Sequence, residues 1–418
     1  MKPIPSPIRS ISLVAGPTRT LPADHLHERA SASPTGCRLE VRESPRETFT
    51  EFHVTAAVEG DGPGVSGQCA ADDAIGRVAA VLAQHEIQPI QEKYYGRRAG
   101  REDVLRHRQA AYERYGLDAG VPVTWIEGTP LGGSDFAGLQ IWGVASHAGE
   151  TCVRTVDNPS TGRGRLWQGR GFEMLYLPAV RGTLPSGVLP AGPTAQAQQM
   201  FTNVELGLKA HGMAYPDVAR TWIYVSRLLE WYGELNRVRN AIYVPAGLGA
   251  RGGVAFPAST GIQGRMAEEE CLVDVLALKR SASASVVAEP IRGSPRQDQS
   301  FNYGSAFSRG MTFSIEGKKT VHISGTASIN TAGASTHLGD AEGQSLETLL
   351  CVAAILEAQG GSLRHITSAT LFCKDQAAYE AWQRVTRLLQ VPDFPKICVL
   401  ADVCRDDLLV ELESVAVI

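Results

Sequence analysis

Two stretches of this sequence follow one plan. Residues 340–373, DAEGQSLETLLCVAAILEAQGGSLRHITSATLFC, read as a helix carrying apolar Leu346, Leu349, Leu350, Ala353, Ile355 and Leu356, a stop at Gly360-Gly361, and a strand. Residues 194–227 do the same: a helix, a His211-Gly212 stop, then the strand around RTWIYV. Each copy continues into a second helix (228–243 and 376–389), a strand marked by proline (256–261 and 394–399) and a closing strand (271–279 and 408–417). A period of this size means that one supersecondary unit has been used more than once, so the fold is an array of such units. A fainter copy lies upstream, with a strand at 51–60, helices at 71–87 and 102–116, and last strands at 121–125 and 137–146.

The predicted organisation is a loose segment at 1–40, units at 41–147, 148–280 and 301–418, and a Ser, Pro and charge-rich surface linker at 281–300. At 418 residues, 43% hydrophobic and 20% charged, the chain can bury substantial cores and suits two to four domains. A net charge of −4 with no Lys/Arg run gives no source for phosphate tracking, so a nucleic-acid partner is not expected. Neither a signal peptide nor a run of 18 apolar residues is visible, and a cytoplasmic protein without membrane contact is the expectation. Eight scattered cysteines lack metal-ligand spacing, so thiols are expected rather than disulfides, and no metal or organic cofactor is implied.

The order of elements, with Asn302 to Ala306, His322 to Gly325, the 394–399 strand and the closing Val410-Glu411-Leu412-Glu413, resembles the YjgF/RidA superfamily. That resemblance implies an α+β fold of tandem, chorismate-mutase-like units: mixed sheets with helices packed on one face. Because those proteins are trimers with pockets between subunits, it also implies a monomer acting as an intramolecular pseudo-trimer. A narrower resemblance, to the chorismatases, is carried by VHISGTASIN, THLGD, Gln344, RTWIYV and ADVCRDDLLVELE. It implies a small anionic, chorismate-like substrate, with release of pyruvate and formation of 3-hydroxybenzoate or a dihydroxycyclohexadiene carboxylate. Within the superfamily the alternatives are an imine deaminase and a non-catalytic binding protein.

The family's arginine position falls at Lys396 and, in the second copy, at Ser259; its acid position falls at Glu411 and at Asp274, each fifteen residues later. Cleaving an enolpyruvyl ether requires an acid for the terminal methylene and cations for two carboxylates. Glu411, flanked by Leu409, Val410 and Leu412, suits the acid, because desolvation raises its pKa; its other reading is the solvent face of an edge strand. Glu413 shares its face. Cys404 resembles the residue that separates the two chorismatase product classes, and is otherwise a small buried apolar residue. Gly325 allows close backbone approach or marks a bulge, while Tyr303 offers a hydroxyl or packs. Lys396 and Cys398 fall on superfamily pocket positions. From the second unit, Asn236 matches the position that completes a neighbour's pocket, Arg239 is the preferred second cation, and Arg220 points into a cleft or snorkels.

Overall fold

In a computed structural model, residues 27–32, 36–58, 67–249, 253–265, 269–281 and 286–418 are described. The first unit comprises β1 (His27–Ala32), β2 (Cys37–Pro45), β3 (Phe49–Val58), α1 (Gly67–Gln84), β4 (Gln88–Gly96), α2 (Arg101–Tyr115), β5 (Thr124–Glu127), the short β6 (Thr129–Pro130) and β7 (Phe136–Ser146). The second runs β8 (Cys152–Asn158), β9 (Gly162–Gly169), β10 (Phe172–Arg181), α3 (Pro193–Lys209), β11 (Val218–Val225), α4 (Leu228–Tyr243), β12 (Ala258–Gln263) and β13 (Cys271–Arg280). The third contains β14 (Val287–Ile291), β15 (Gly310–Ile315), β16 (Lys318–Ala327), α5 (Ala341–Ala358), β17 (Ile366–Cys373), α6 (Gln376–Leu388), β18 (Lys396–Leu400) and β19 (Val410–Val417).

The three sheets share one strand order: β1-β2-β3-β7-β4-β5, β8-β9-β10-β13-β11-β12 and β14-β15-β16-β19-β17-β18. In each, three antiparallel strands lead to the closing strand, and one parallel pair (β4/β5, β11/β12, β17/β18) forms the far edge. The third sheet gains a seventh strand because β6 of the first unit pairs with β18, Val399 opposite Pro130. The predicted α+β class, tandem units of mixed sheet with helices on one face, is the architecture observed.

Local chemistry sets the helix limits. The carboxylates of Asp340 and Asp375 cap α5 and α6 by accepting from the backbone N–H of Gly343 and Ala378. Beyond α5, Gly360 takes a φ of 90°, which glycine adopts without strain.

Strand periodicity then divides the apolar residues between two kinds of core. One face of each sheet packs under its helices: Ile75, Val78 and Leu82 in the first unit, Met200, Phe201 and Val204 in the second, Val352, Ile355 and Trp382 in the third. The opposite faces meet in a common core to which all three sheets contribute, among them Trp142, Trp167, Trp222, Tyr176, Phe313 and Phe372. Trp142 and Trp222 close on His322 edge-on, at 5.7 and 6.3 Å between centroids. On β19 this alternation sends Val410, Leu412 and Ala416 toward the helices, so Glu411 and Glu413 point inward between sheets.

Two boundaries need correction. Strand β1 and the start of β2 lie within residues 1–40, expected to be loose, and β14 lies within the stretch 281–300, expected to be a linker. Both β1 and β14 are edge strands held by backbone pairing to one neighbour, and β14 is mostly solvent-facing, so an apolar pattern is absent. No helix among the described residues is long and apolar enough to cross a membrane.

Candidate active site between the second and third sheets

Glu411 is 3% exposed and sits on β19 opposite a bulge in β16, where the register shifts between Ile323 and Thr326. Gly325 lies in that bulge. A Cβ built on Gly325 would fall onto Oε1 of Glu411, so only glycine leaves room for the carboxyl. The Gly325 N–H donates to Thr260 Oγ1 of β12 at 3.0 Å, joining the bulge to the second unit.

The carboxyl opens into a cavity of about 210 Å³ along this seam. From the second unit, Tyr232, Asn236 and Arg239 enter from one face of α4, at the i, i+4, i+7 spacing that aligns side chains on a helix; Ser259 and Gly261 enter from β12. From the third unit come Phe307, Arg309, Gly325, Cys404 and Arg405. Buried Arg239 donates to Asn236 Oδ1 at 2.6 Å, buried Arg309 donates from Nε to the Asp298 carbonyl at 3.1 Å, and Arg405 donates from Nη1 to the Gly333 carbonyl at 2.7 Å. Three guanidinium groups therefore line one small space beside a carboxyl.

Burial, reinforced by the neighbouring charge of Glu413, pushes Glu411 up to about 8, against the pull of Arg220 and Arg309. It holds a proton at neutral pH. Glu413, two residues on, has the opposite fate. Burial raises it too, but Lys93 (3.7 Å from Oε1) and Arg220 (3.1 Å from Oε2) outweigh that and keep it below the ordinary carboxylate value. Adjacent carboxyls on one strand face thus occupy different protonation states, the arrangement that separates an acid from a fixed charge. Burial also pushes the Cys404 thiol up to about 12, so it stays protonated, and burial raises the Tyr232 hydroxyl as well.

The sequence profile of the endoribonuclease L-PSP family matches residues 305–418. The 3-aminoacrylate deaminase RutC of Acinetobacter baylyi is 32% identical over 97 residues, 23% of this chain and 77% of that protein. The chain belongs to the YjgF/RidA family. Among solved structures, a chorismatase superposes with a TM-score of 0.55 at 19% identity, covering 78% of this chain and 92% of that one. RidA from an Antarctic Psychrobacter covers 31% of this chain and 99% of its own, at 19% identity and a TM-score of 0.26. At 19% identity the likeness to the chorismatase concerns the fold.

Set against the YjgF/RidA positions expected from sequence, Glu411, Cys404, Gly325, Asn236 and Arg239 share the one cavity. Lys396 and Cys398 do not. They line a separate cavity facing the first unit, because the strand order β19-β17-β18 places a strand between them and Glu411. Across the Glu411 seam their place is taken by β12, with Ser259 and Gly261. Arg220 also lies outside the cavity: it pairs with Glu413 in the centre and donates to Thr260 Oγ1 at 2.6 Å. The side chain of Tyr303 is outside the described residues; Ser305 and Phe307 from the same stretch line the cavity.

The correspondence of Asp274 with Glu411 is also corrected. Thr221 pairs with Ser259 and Ala369 with Lys396; on the next residues, Trp222 faces Asp274 and Thr370 faces Glu413. Asp274 is therefore the counterpart of Glu413, and Leu272 that of Glu411, because the turn before β19 is longer by two residues than the equal spacing assumed. Arg309, Arg405 and Tyr232 were not singled out from sequence. Arg405 adjoins Cys404 and Tyr232 precedes Asn236 by one helical turn, so both carried a signal; Arg309, at a strand entry, carried none.

Proposed function

We propose that the chain cleaves the enolpyruvyl ether of chorismate and releases pyruvate. The observation that carries this reading is a carboxyl protonated at neutral pH that shares a small cavity with three arginines. Chorismate is a dianion, and Arg239, Arg309 and Arg405 supply the cations for its carboxylates. Glu411 donates its proton to the terminal methylene, turning the enol ether into a cation that parts readily from the ring. If water adds, the hemiketal collapses to pyruvate and a dihydroxycyclohexadiene carboxylate. Without water, the ring's own hydroxyl displaces the side chain, a ring hydrogen leaves as a proton, and 3-hydroxybenzoate results with Glu411 reprotonated. Cys404, a neutral thiol in the cavity, resembles the second branch. The fold likeness to a chorismatase supports the reading. The core common to three sheets supports a monomer working as a pseudo-trimer.

A second reading, imine deamination, draws on the relative named 3-aminoacrylate deaminase. Activating water against an imine calls for a carboxylate base, and Glu411 is a carboxylic acid below about pH 8. The family arginine is Ser259 at this seam. Purified protein with chorismate, pyruvate being followed by reduction to lactate, tests the choice: release that falls about a hundredfold or more in Glu411→Gln is expected. Turnover of an iminopropionate with none of chorismate would decide for the deaminase.

A further inference from the structure

One buried side chain behind the Glu411 cavity belongs to the stretch 281–300, expected from sequence to be a linker. Gln297 is fully buried, and its Nε2 donates to two carbonyls, that of Ala327 at 2.9 Å and that of Ile329 at 3.1 Å. Both residues line the cavity, and Ala327 stands opposite Glu411 at the end of β16. The chain turns sharply there, since the Ile329 N–H returns to the Ala327 carbonyl at 2.8 Å. The residue after Gln297 reaches another wall: the Asp298 carbonyl accepts from Nε of Arg309, whose guanidinium lies 5.4 Å from the ring centre of Phe307. Arg296 anchors the stretch to α5 through a two-pronged pair with Glu347, at 3.0 and 2.6 Å.

Packing alone does not account for a glutamine at this place. Its Oε1 is buried with no hydrogen-bond partner among the described residues, and an unpaired amide oxygen costs stability that a leucine of similar size would not lose. What the amide supplies is one nitrogen with two hydrogens, matched to two carbonyls at either end of one turn. With residue 297 held between them, the carbonyl of residue 298 is held too, and with it the guanidinium of Arg309. Glu411 is placed separately, by the pairing of its own strand with Phe372 of β17.

We propose that Gln297 is a positioning residue: it sets the turn at 327–329 and the reach of Arg309, and so the grip on an anionic substrate, without moving the acid. The role rests on the cavity being the site of chorismate cleavage. Gln297→Leu should raise KM for chorismate about tenfold, keep kcat within about threefold of the parent and leave the alkaline limb of the rate profile in place. In an Arg309→Ala background the same change should add little, because its effect passes through that side chain. A parent-like KM, a loss confined to kcat, a moved limb or a full further loss beside Arg309→Ala would overturn the assignment. Crystal structures of parent and variant test the placement without any reaction: a displaced Arg309 and 327–329 turn are expected, and superposable ones would overturn it. A parent that releases no pyruvate would remove the assigned reaction and leave that comparison to decide whether Gln297 places Arg309. Should the leucine variant fail to fold, Gln297→Asn, which keeps the amide but is one methylene shorter, is read in the same way.

Discussion

Two glutamates on one face of one strand, spaced by a single residue, illustrate how position rather than residue type sets chemistry. Glu413 meets Lys93 and Arg220 and stays ionised; Glu411 is buried beside the charge of Glu413, and stays protonated. The raised value has a consequence for stability. Between the ordinary value of 4.5 and about 8, the folded chain holds a proton at Glu411 that the unfolded chain has released, so this contribution is complete below 4.5 and is lost as pH rises through about 8. Glu411→Gln removes that dependence, at about 1.4 kcal/mol per pH unit in this window. Urea unfolding at pH 7.5 should show the variant more stable than the parent by a few kcal/mol, even though turnover is lost. Glu413→Gln acts the other way. It takes away the negative neighbour and leaves Arg220 and Lys93 uncompensated, so Glu411 becomes more acidic and the alkaline limb of the rate profile moves to lower pH. An unmoved limb would mean that Glu413 does not tune the acid.

At the scale of elements, the site depends on a bulge and a helix face. The bulge of β16 supplies the one backbone position where a missing Cβ accommodates the Glu411 carboxyl, and its N–H ties that position to β12. Gly325→Ala should displace the carboxyl from the cavity, lowering the pyruvate-release rate by at least tenfold with a loss of about 1–3 kcal/mol in unfolding free energy. Parent-like kinetics in this variant would show that the side chain has room elsewhere. Much of this level was legible in sequence, for strong local reasons. Periodicity and stop residues located the helices, and α4 spans the residues read for it, 228–243. Strands β8, β9 and β10 were not read individually, and β4 was missed, because their alternation is interrupted by charged and glycine residues such as those of Gly162–Gly169. The site was half legible. The residues singled out on the closing strand and α4 line one cavity together, whereas Lys396 lines another, because sequence spacing does not say which seam a strand edge faces.

Across the whole molecule, one plan has been used three times and made unequal. The three closing strands present Gly138, Leu272 and Glu411 at one register position, so a single seam carries the acid, and the central positions Gln140, Asp274 and Glu413 join the sheets by polar contacts. Thr124 donates to Asp274 Oδ1 at 2.8 Å and Gln140 to the Ala369 carbonyl at 2.7 Å, each across a unit boundary. Residues 301–418 alone would lack Tyr232, Asn236 and Arg239 and would expose Met311, Phe313 and Phe372 of the common core. That fragment should release no pyruvate from chorismate at concentrations where the full chain does, and recovery on adding residues 148–280 would locate the missing groups. The pH dependence of chorismate turnover reads the protonation of Glu411. Pyruvate release should be steady near neutrality, decline as pH rises through about 8 and be nearly absent in Glu411→Gln; release that grows with pH across that range, or that is equal in the variant, would mean that Glu411 is not the acid.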